Sequence, residues 1–161
     1  MSDNLTRLLN KLQARVDLID SFPLNPMYKY KSMEKLILEV GKPYVTTAKN
    51  SKLKGTPKNC YENCFKIINK YQDLTYCEGY ATDDEVSEIF THAWLINEKG
   101  EVVDPTWREP SNPAYFGAAF NRDFVIDFVT KFNEFGVLET DYRQRHKFKI
   151  EGFPEGALLH K

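Results

Sequence analysis

The chain has 161 residues, of which 42% are hydrophobic and 28% charged, and this balance is typical of one folded domain with a buried core. The formal net charge is −1, so no global field attracts nucleic acid or an anionic membrane surface. Aromatic residues are abundant (11 Phe, 9 Tyr and 2 Trp), which predicts either an aromatic core or an aromatic cleft.

The basic stretches, the N-terminal residues and the cysteine count indicate the partners and the compartment of the protein. Two short basic stretches, 49–58 and 143–149, are typical of exposed loops or helix faces, so nucleic acid is not the expected partner. The first ten residues lack the apolar core of a secretion signal, and no stretch has the length and apolarity of a membrane span. Three cysteines cannot form a complete set of disulfides, and free thiols are typical of the cytosol. We therefore expect a cytoplasmic protein with no membrane partner.

Helical spacing of apolar residues predicts three helices in the first part of the chain. The first covers about 4–19. The second follows a cap at Ser32 and ends at Gly41, where we expect a left-handed residue. After an exposed loop over 44–58, the third helix begins at Cys60, with Asn59 as its N-cap and Glu62 in capping-box relation to that cap.

Beyond residue 73 the pattern changes to that of strands. We predict strands over 74–81, 89–97 and 101–104, with a turn at 98–100 joining the last two. A long loop over 105–120, an amphipathic helix from Arg122 capped by Asn121, and a final strand at 148–150 complete the chain. Helices followed by an antiparallel sheet predict an α+β fold in a single domain over 1–161, with 1–43 as an N-terminal helical extension and 153–161 as a flexible tail.

Cys60, His92 and Asp104 can form one chemical unit. A cysteine attacks as its thiolate, which the unpaired N–H groups and the positive dipole end of a helix N-terminus stabilise. If Gly100 is the left-handed residue of the turn, Trp94 lies opposite Asp104, and His92 is diagonal to Asp104 on the same face. Diagonal neighbours are about 7–8 Å apart, which these side chains can bridge. A slip of one residue would place them on opposite faces.

Four segments carry a family resemblance: Asn59-Cys60-Tyr61-Glu62-Asn63, Glu78-Gly79-Tyr80-Ala81, His92-Ala93-Trp94 and Val103-Asp104-Pro105-Thr106-Trp107. In this order they resemble the core of the transglutaminase-like, papain-fold superfamily, over about 55–120. There, a cysteine opens the central helix, and a histidine and an aspartate lie on neighbouring strands of an antiparallel sheet. The resemblance implies a catalytic triad, with Cys60 as nucleophile, His92 as general base and then acid, and Asp104 as the orienting residue, without a cofactor or metal.

Further residues are candidates for binding and supporting the reactants. Those expected to contact substrate are Asn59, Tyr61, Glu78, Trp94, Trp107 and Tyr115, although core packing explains the aromatic ones almost as well. A reaction oxyanion would accept a hydrogen bond from the Cys60 N–H and a second one from the side chain of Asn59 or Asn50. Asn63 either hydrogen-bonds within the site or serves the first turn of the helix.

Other readings of the same residues remain open. Cys64 and Cys77 are expected to be buried and structural, and His146 and His160 to be bystanders. A zinc site built from Cys60, Cys64, Cys77 and His92 would lack the short Cys-x₂-Cys spacing of structural zinc sites.

The expected function is thiol-dependent acyl transfer through a Cys60 thioester, in a protein of bacterial or phage origin. Peptidases, amidases, deamidases, transglutaminases, acyltransferases and peptide N-glycanases share the fold, and the resemblance does not choose among them. Hydrolysis is the first expectation because it needs no second substrate pocket. The substrate would be a protein, a peptide-like molecule or a small-molecule amide. One alternative is an inactive papain-like fold that serves as a binding or inhibitory module, and another is a triad enzyme for a nucleotide- or sugar-linked amide.

Overall fold

A computed structural model describes residues 2–23, 25–49 and 51–159. Within these residues the helices are α1 (Asp3–Asp20), α2 (Met33–Val40), α3 (Cys60–Ile68), α4 (Arg122–Phe132) and α5 (Lys147–Glu151), with a 3₁₀ helix at Asp141–Gln144. The strands are β1 (Lys42–Tyr44), β2 (Thr75–Thr82), β3 (Phe90–Ile96), β4 (Val102–Val103) and β5 (Ala114–Ala119). In the part of the chain so described, no helix combines the length and apolarity needed to cross a bilayer.

The strands form one antiparallel sheet in the order β1-β5-β2-β3-β4. β5 is an interior strand of this sheet, paired on both sides, so the prediction of a loop over 105–120 is wrong from Ala114 onward. The segment Ala-Tyr-Phe-Gly-Ala-Ala is poor in β-branched residues, and its strand form comes from pairing with β1 on one side and β2 on the other.

Other local predictions were also wrong. Gly41 has φ −77° and an extended backbone instead of the left-handed conformation, because the chain continues directly into β1. The predicted strand at 148–150 is part of α5, since three residues of alternating pattern cannot separate a strand from one turn of helix. β4 ends at Val103, so Asp104 is the residue after the strand.

The helices share one face of the sheet. Leu8 and Leu12 of α1 lie fully buried in the main core, which also receives Cys64 and Ile68 of α3. The N-terminal segment, expected as an extension, thus contributes directly to this core. Near the other end, Ala157 is buried and Leu158 forms a β-bridge with Phe120, so residues 153–159, expected as a flexible tail, pack on the fold.

The opposite face of the sheet carries a smaller aromatic cluster. Trp94 and Tyr115 are its largest fully buried members, and Tyr44, Phe90 and Trp107 pack over them. An antiparallel sheet with helices segregated on one face is an α+β fold.

Candidate active site

The hairpin between β3 and β4 has the predicted register. Gly100 has φ +77°, and the Asn97 N–H donates to the Glu101 carbonyl at 3.0 Å. Leu95 pairs with Val103, so Trp94 stands opposite Asp104, and His92 lies diagonal to Asp104 on the same face of the sheet. His92 Nε2 and Asp104 Oδ2 are 2.7 Å apart. The local turn geometry is therefore sufficient to bring this pair together.

Asp104 is fixed by four hydrogen bonds. Its Oδ1 accepts the N–H groups of Thr106 and Trp107, each at 3.0 Å. Its Oδ2 accepts the Tyr115 hydroxyl at 3.0 Å as well as the bond from His92. Burial would raise the pKa of Asp104, but these donors and the His92 charge hold it below its usual value. The carboxylate is therefore held in its charged form.

His92 lies in an aromatic box on the smaller-cluster face. Its ring stacks on Trp94, with centroids 6.4 Å apart and an interplanar angle of 17°. Phe90 and Trp107 meet it edge-on at 5.6 and 6.0 Å. Burial alone would lower the pKa of His92, but hydrogen bonds to Asp104 and Cys60 outweigh it and raise the pKa to about 9. The imidazole is thus charged at neutral pH.

Cys60 is the first residue of α3, as predicted, but the cap differs from the prediction. Asn59 makes no side-chain hydrogen bond to the helix, and Glu62 pairs with Lys66 at 2.6 Å, so no capping box forms. Cys60 is buried, with 8% of the residue exposed, and its interaction with His92 raises the pKa of that imidazole. Because Asp104 occupies Nε2, Nδ1 is the ring nitrogen left for this thiol.

Asn63 connects the segment that carries Cys60 to the segment that carries Asp104. Its amide nitrogen donates to the Thr56 carbonyl at 2.7 Å and to Thr106 Oγ1 at 2.8 Å, and its Oδ1 accepts the Thr56 N–H at 3.1 Å. Gly55 lies against the Asn63 amide so closely that a Cβ would clash with it, and its N–H donates to the Pro105 carbonyl at 2.7 Å. Asn63 therefore fixes the position of the first turn of α3 relative to the segment that follows Asp104.

Two glycines lie beside the aromatic box. Gly79 of β2 lies between His92 of β3 and Gly117 of β5 in the paired register. A Cβ at residue 117 would lie 2.7 Å from Trp94 Cη2. The absence of a side chain at Gly117 thus leaves room for the indole of Trp94, whereas a Cβ at Gly79 would clash with the backbone of Phe116 and Gly117.

Two cavities lie near the segments that carry Cys60, His92 and Asp104. The first, which we call the acidic cavity, has a volume of about 270 Å³, and its wall includes Glu34, Tyr61, Glu78, Thr91, Glu139 and Asp141. Tyr61 and Thr91 are the chain neighbours of Cys60 and His92. The second, the loop cavity, has a volume of about 290 Å³, and its wall includes Lys54, Asp104, Trp107, Pro110 and Tyr115.

Glu78 forms part of the floor of the acidic cavity and also holds the backbone of residues 137–138 in place. Its carboxylate accepts the N–H groups of Val137 and Leu138 at 2.7 and 2.8 Å and the Tyr76 hydroxyl at 2.9 Å. Burial raises the pKa of Glu78 to about 7, although these three donors oppose the shift. Glu78 therefore titrates near neutral pH.

The predicted binding residues divide between the two sides of the sheet. Tyr61 and Glu78 line the acidic cavity, and Asn59 is exposed beside Cys60. Trp107 is half-buried and Tyr115 is buried in the wall of the loop cavity. Trp94 is fully buried against His92, which is a supporting position. Asn50 and His160 lie outside the described residues, and His146, expected as a bystander, lines the acidic cavity.

The two other cysteines differ from Cys60. Cys64 and Cys77 are both fully buried, and desolvation raises the pKa of each thiol far above its ordinary value. They therefore stay protonated at neutral pH. Within the residues that the structure describes, no group of three or more His, Cys, Asp and Glu side chains is arranged to hold a metal ion.

Sequence reasoning did not foresee three contributors to the site: Thr106, Glu139 and Asp141. Thr106 links the segment of Asp104 to Asn63, and Tyr115, a predicted binding residue, also donates to Asp104. Glu139 and Asp141 come from a segment whose sequence is polar and irregular. No local pattern marks them, because they reach the cavity only through the path of the chain after α4.

Searches against protein-family models, curated proteins and solved structures each found no significant match for this chain.

Proposed function

We propose that this protein is a cysteine enzyme that transfers an acyl group from an amide or thioester through a thioester on Cys60. The main support is the position of His92, which interacts with Asp104 on one side and with Cys60 on the other in buried surroundings. A charged imidazole beside a thiol at a helix N-terminus stabilises the thiolate that nucleophilic attack requires.

The proposed reaction uses His92 twice. The Cys60 thiolate attacks the carbonyl carbon, and the resulting oxyanion accepts the N–H of Cys60 at the start of α3, with Asn59 within reach as a second donor. Collapse of this adduct breaks the bond to the leaving amine, which takes the proton of His92 and leaves a thioester. Neutral His92 then removes a proton from water, the hydroxide adds to the thioester carbonyl, and its collapse releases the carboxylic acid and restores the thiolate–imidazolium pair.

Hydrolysis is the form of this chemistry that we favour. Water as the acceptor requires no second substrate pocket, and the acidic and loop cavities can each hold one side-chain-sized part of a substrate. An amine in place of water would give a transglutaminase-like or amide-forming reaction. A peptide-like substrate or a small amide would suit cavities near the lower end of the range of about 300–1,000 Å³ found for ligand pockets. None of the proposed steps requires a cofactor.

The first test is the alkylation rate of each cysteine by iodoacetamide at neutral pH, followed by peptide mapping. Cys60 is expected to react at least about 100-fold faster than Cys64 and Cys77, because it lies beside the charged His92 and keeps some exposure, whereas the other two thiols are fully buried. An acyl adduct formed with p-nitrophenyl acetate and removed by hydroxylamine should then appear in the wild type and in Cys64→Ala, and be absent from Cys60→Ala. Equal labelling of the three cysteines would end the catalytic proposal.

One observation favours a second candidate, an inactive fold that acts as a binding module. Cys60 is 92% buried in the free protein, so a carbonyl carbon has limited access to its sulfur. In this case iodoacetamide would not label Cys60 preferentially, and Cys60→Ala would leave partner binding unchanged. The labelling experiment above separates the two candidates.

A further inference from the structure

The acidic cavity has a strongly unequal distribution of charge. Four carboxyl groups line it, from Glu34, Glu78, Glu139 and Asp141, whereas its basic residues are Lys149 and His146. Two of these carboxylates already accept hydrogen bonds from the protein. Glu78 accepts the N–H groups of Val137 and Leu138, and Glu139 accepts the Tyr61 hydroxyl at 3.1 Å. Glu34, Glu139 and Asp141 thus still offer carboxylate groups in the wall of the cavity. A site of this kind favours a positively charged occupant.

Asp141 supplies an independent indication of a missing donor. It is 2% exposed, and its Oδ1 accepts the Phe148 N–H at 3.0 Å and the Gln144 amide at 2.9 Å. Its Oδ2 is buried and has no hydrogen-bond partner among the described residues. Leaving a buried carboxylate oxygen unsatisfied costs free energy, so such atoms are rare unless a ligand or water completes them.

The position and size of the cavity connect it to the reactive cysteine. Tyr61 and Thr91 form the part of its wall next to Cys60 and His92, and the floor is β2 around Gly79, the strand that pairs with His92. Its volume of about 270 Å³ suits one side-chain-sized group better than an extended polymer.

We propose that the acidic cavity binds an ammonium or guanidinium group of the substrate whose carbonyl Cys60 attacks. The cation is attracted by Glu34, Glu139 and Asp141, whose Oδ2 has no hydrogen-bond partner among the described residues. This inference rests on the proposed function for its link to Cys60, and it narrows the substrate to amides that carry a basic group a short distance from the scissile bond.

The test compares how fast charged and neutral methanethiosulfonates modify Cys60. In each reaction the Cys60 thiolate attacks the reagent's sulfenyl sulfur, an S–S bond forms, and methanesulfinate leaves. The reagents carry an ammonium group on an ethyl or hexyl arm, a sulfonate on an ethyl arm, or a methyl group, and each rate is divided by the rate with 2-mercaptoethanol. We expect a preference for the ammonium reagents of roughly tenfold over the methyl reagent, the size of one moderately screened charge interaction.

Variants show whether the cavity causes this preference. Glu34→Gln/Glu139→Gln should bring the ratio close to one, because both side chains are partly exposed and their loss leaves the fold intact. Glu62→Gln is the matched control, since Glu62 lies in the same first turn as Cys60 and outside the acidic cavity. A ratio near one in the wild type, or an equal loss in the control, would overturn the proposal.

A second measurement does not depend on a reactive cysteine. In Cys60→Ala, n-hexylammonium should shift the NMR amide signals of Tyr61, Thr91 and Asp141 in a saturable manner, and hexanoate should not. Asp141→Asn, checked for folding by thermal denaturation, should weaken that binding. Absence of binding by the ammonium probe would refute the cation site. Cation binding without preferential modification of Cys60 by the ammonium reagents would keep the cation site and reject its link to Cys60, whereas the alkylation and acylation tests above decide the proposed enzyme.

Discussion

Replacing Asp104 by Asn removes the charge beside His92 and nearly preserves the side-chain shape. The Thr106 and Trp107 N–H groups, which now bond Oδ1, would keep the amide oxygen of Asn on their side. The NH₂ group would then occupy the place of Oδ2 and point at His92 Nε2 and at the Tyr115 hydroxyl. A donor at that place forces Nε2 to accept, so a neutral imidazole carries its proton on Nδ1, the nitrogen that faces Cys60. In this tautomer the imidazole cannot accept a proton from the thiol.

The magnitude follows from the pKa of His92. It is about 9 with Asp104 present, against an ordinary value of 6.5, and burial alone moves it below that value. The net rise is about 2.5 pKa units, or roughly 3 kcal/mol, and both Asp104 and Cys60 contribute to it, with Asp104 first. Removing the Asp104 charge should therefore destabilise the thiolate–imidazolium pair by on the order of 100-fold. We expect the alkylation rate of Cys60 at pH 7 to fall by about this factor.

Two measurements check this prediction. An NMR titration of His92 should give a midpoint near 9 in the wild type and a clearly lower midpoint in Asp104→Asn, and the pH profile of iodoacetamide alkylation should shift accordingly. A raised folded-state pKa stabilises the protein fully below about 6.5, and that stabilisation is lost as the pH rises through about 9. The urea unfolding free energy of the wild type should therefore fall across this window, and that of the variant should fall less.

Glu101→Gln is the matched control, because it makes the same change in the same hairpin without contact to His92. A wild-type midpoint near 6.5, or alkylation in Asp104→Asn that is unchanged, would show that the carboxylate does not control the charge of His92.

Two further changes test the scaffold of the site. Asn63→Ala should lower the unfolding free energy by about 2–3 kcal/mol, because it removes three part-buried hydrogen bonds to Thr56 and Thr106. Asn69→Ala, which removes one exposed bond on the same helix, should cost under about 1 kcal/mol, and equal costs would contradict the bridging role. Glu78 has a folded-state pKa of about 7, raised from 4.5, so the stability that it confers in acid is lost as the pH rises between these values, by roughly 3 kcal/mol at most. Glu78→Gln should remove that part of the pH slope in urea unfolding, and an identical slope in both proteins would refute the assignment.

Several features of the site could be predicted from the sequence because they depend on near neighbours in the chain. The start of α3 at Cys60 follows from a change in pattern after a polar loop, and the His92–Asp104 pair follows from a turn of a few residues centred on Gly100. In a hairpin, turn length sets the register, and the register sets which side chains share a face. The α+β class follows from the order of helical and alternating patterns.

The tertiary structure decided the rest, since it depends on contacts between segments far apart in sequence. β5 became a strand through its two neighbours, against the weak strand preference of its own residues. Cys60 meets a histidine 32 positions later because α3 packs on β3, a contact that no local period encodes. The acidic cavity combines α2, β2, β3 and the chain after α4, so its carboxylates form a site only when the whole fold is in place. The sequence alone thus predicted the contact between His92 and Asp104, and the packing of distant segments determined the cavities near it.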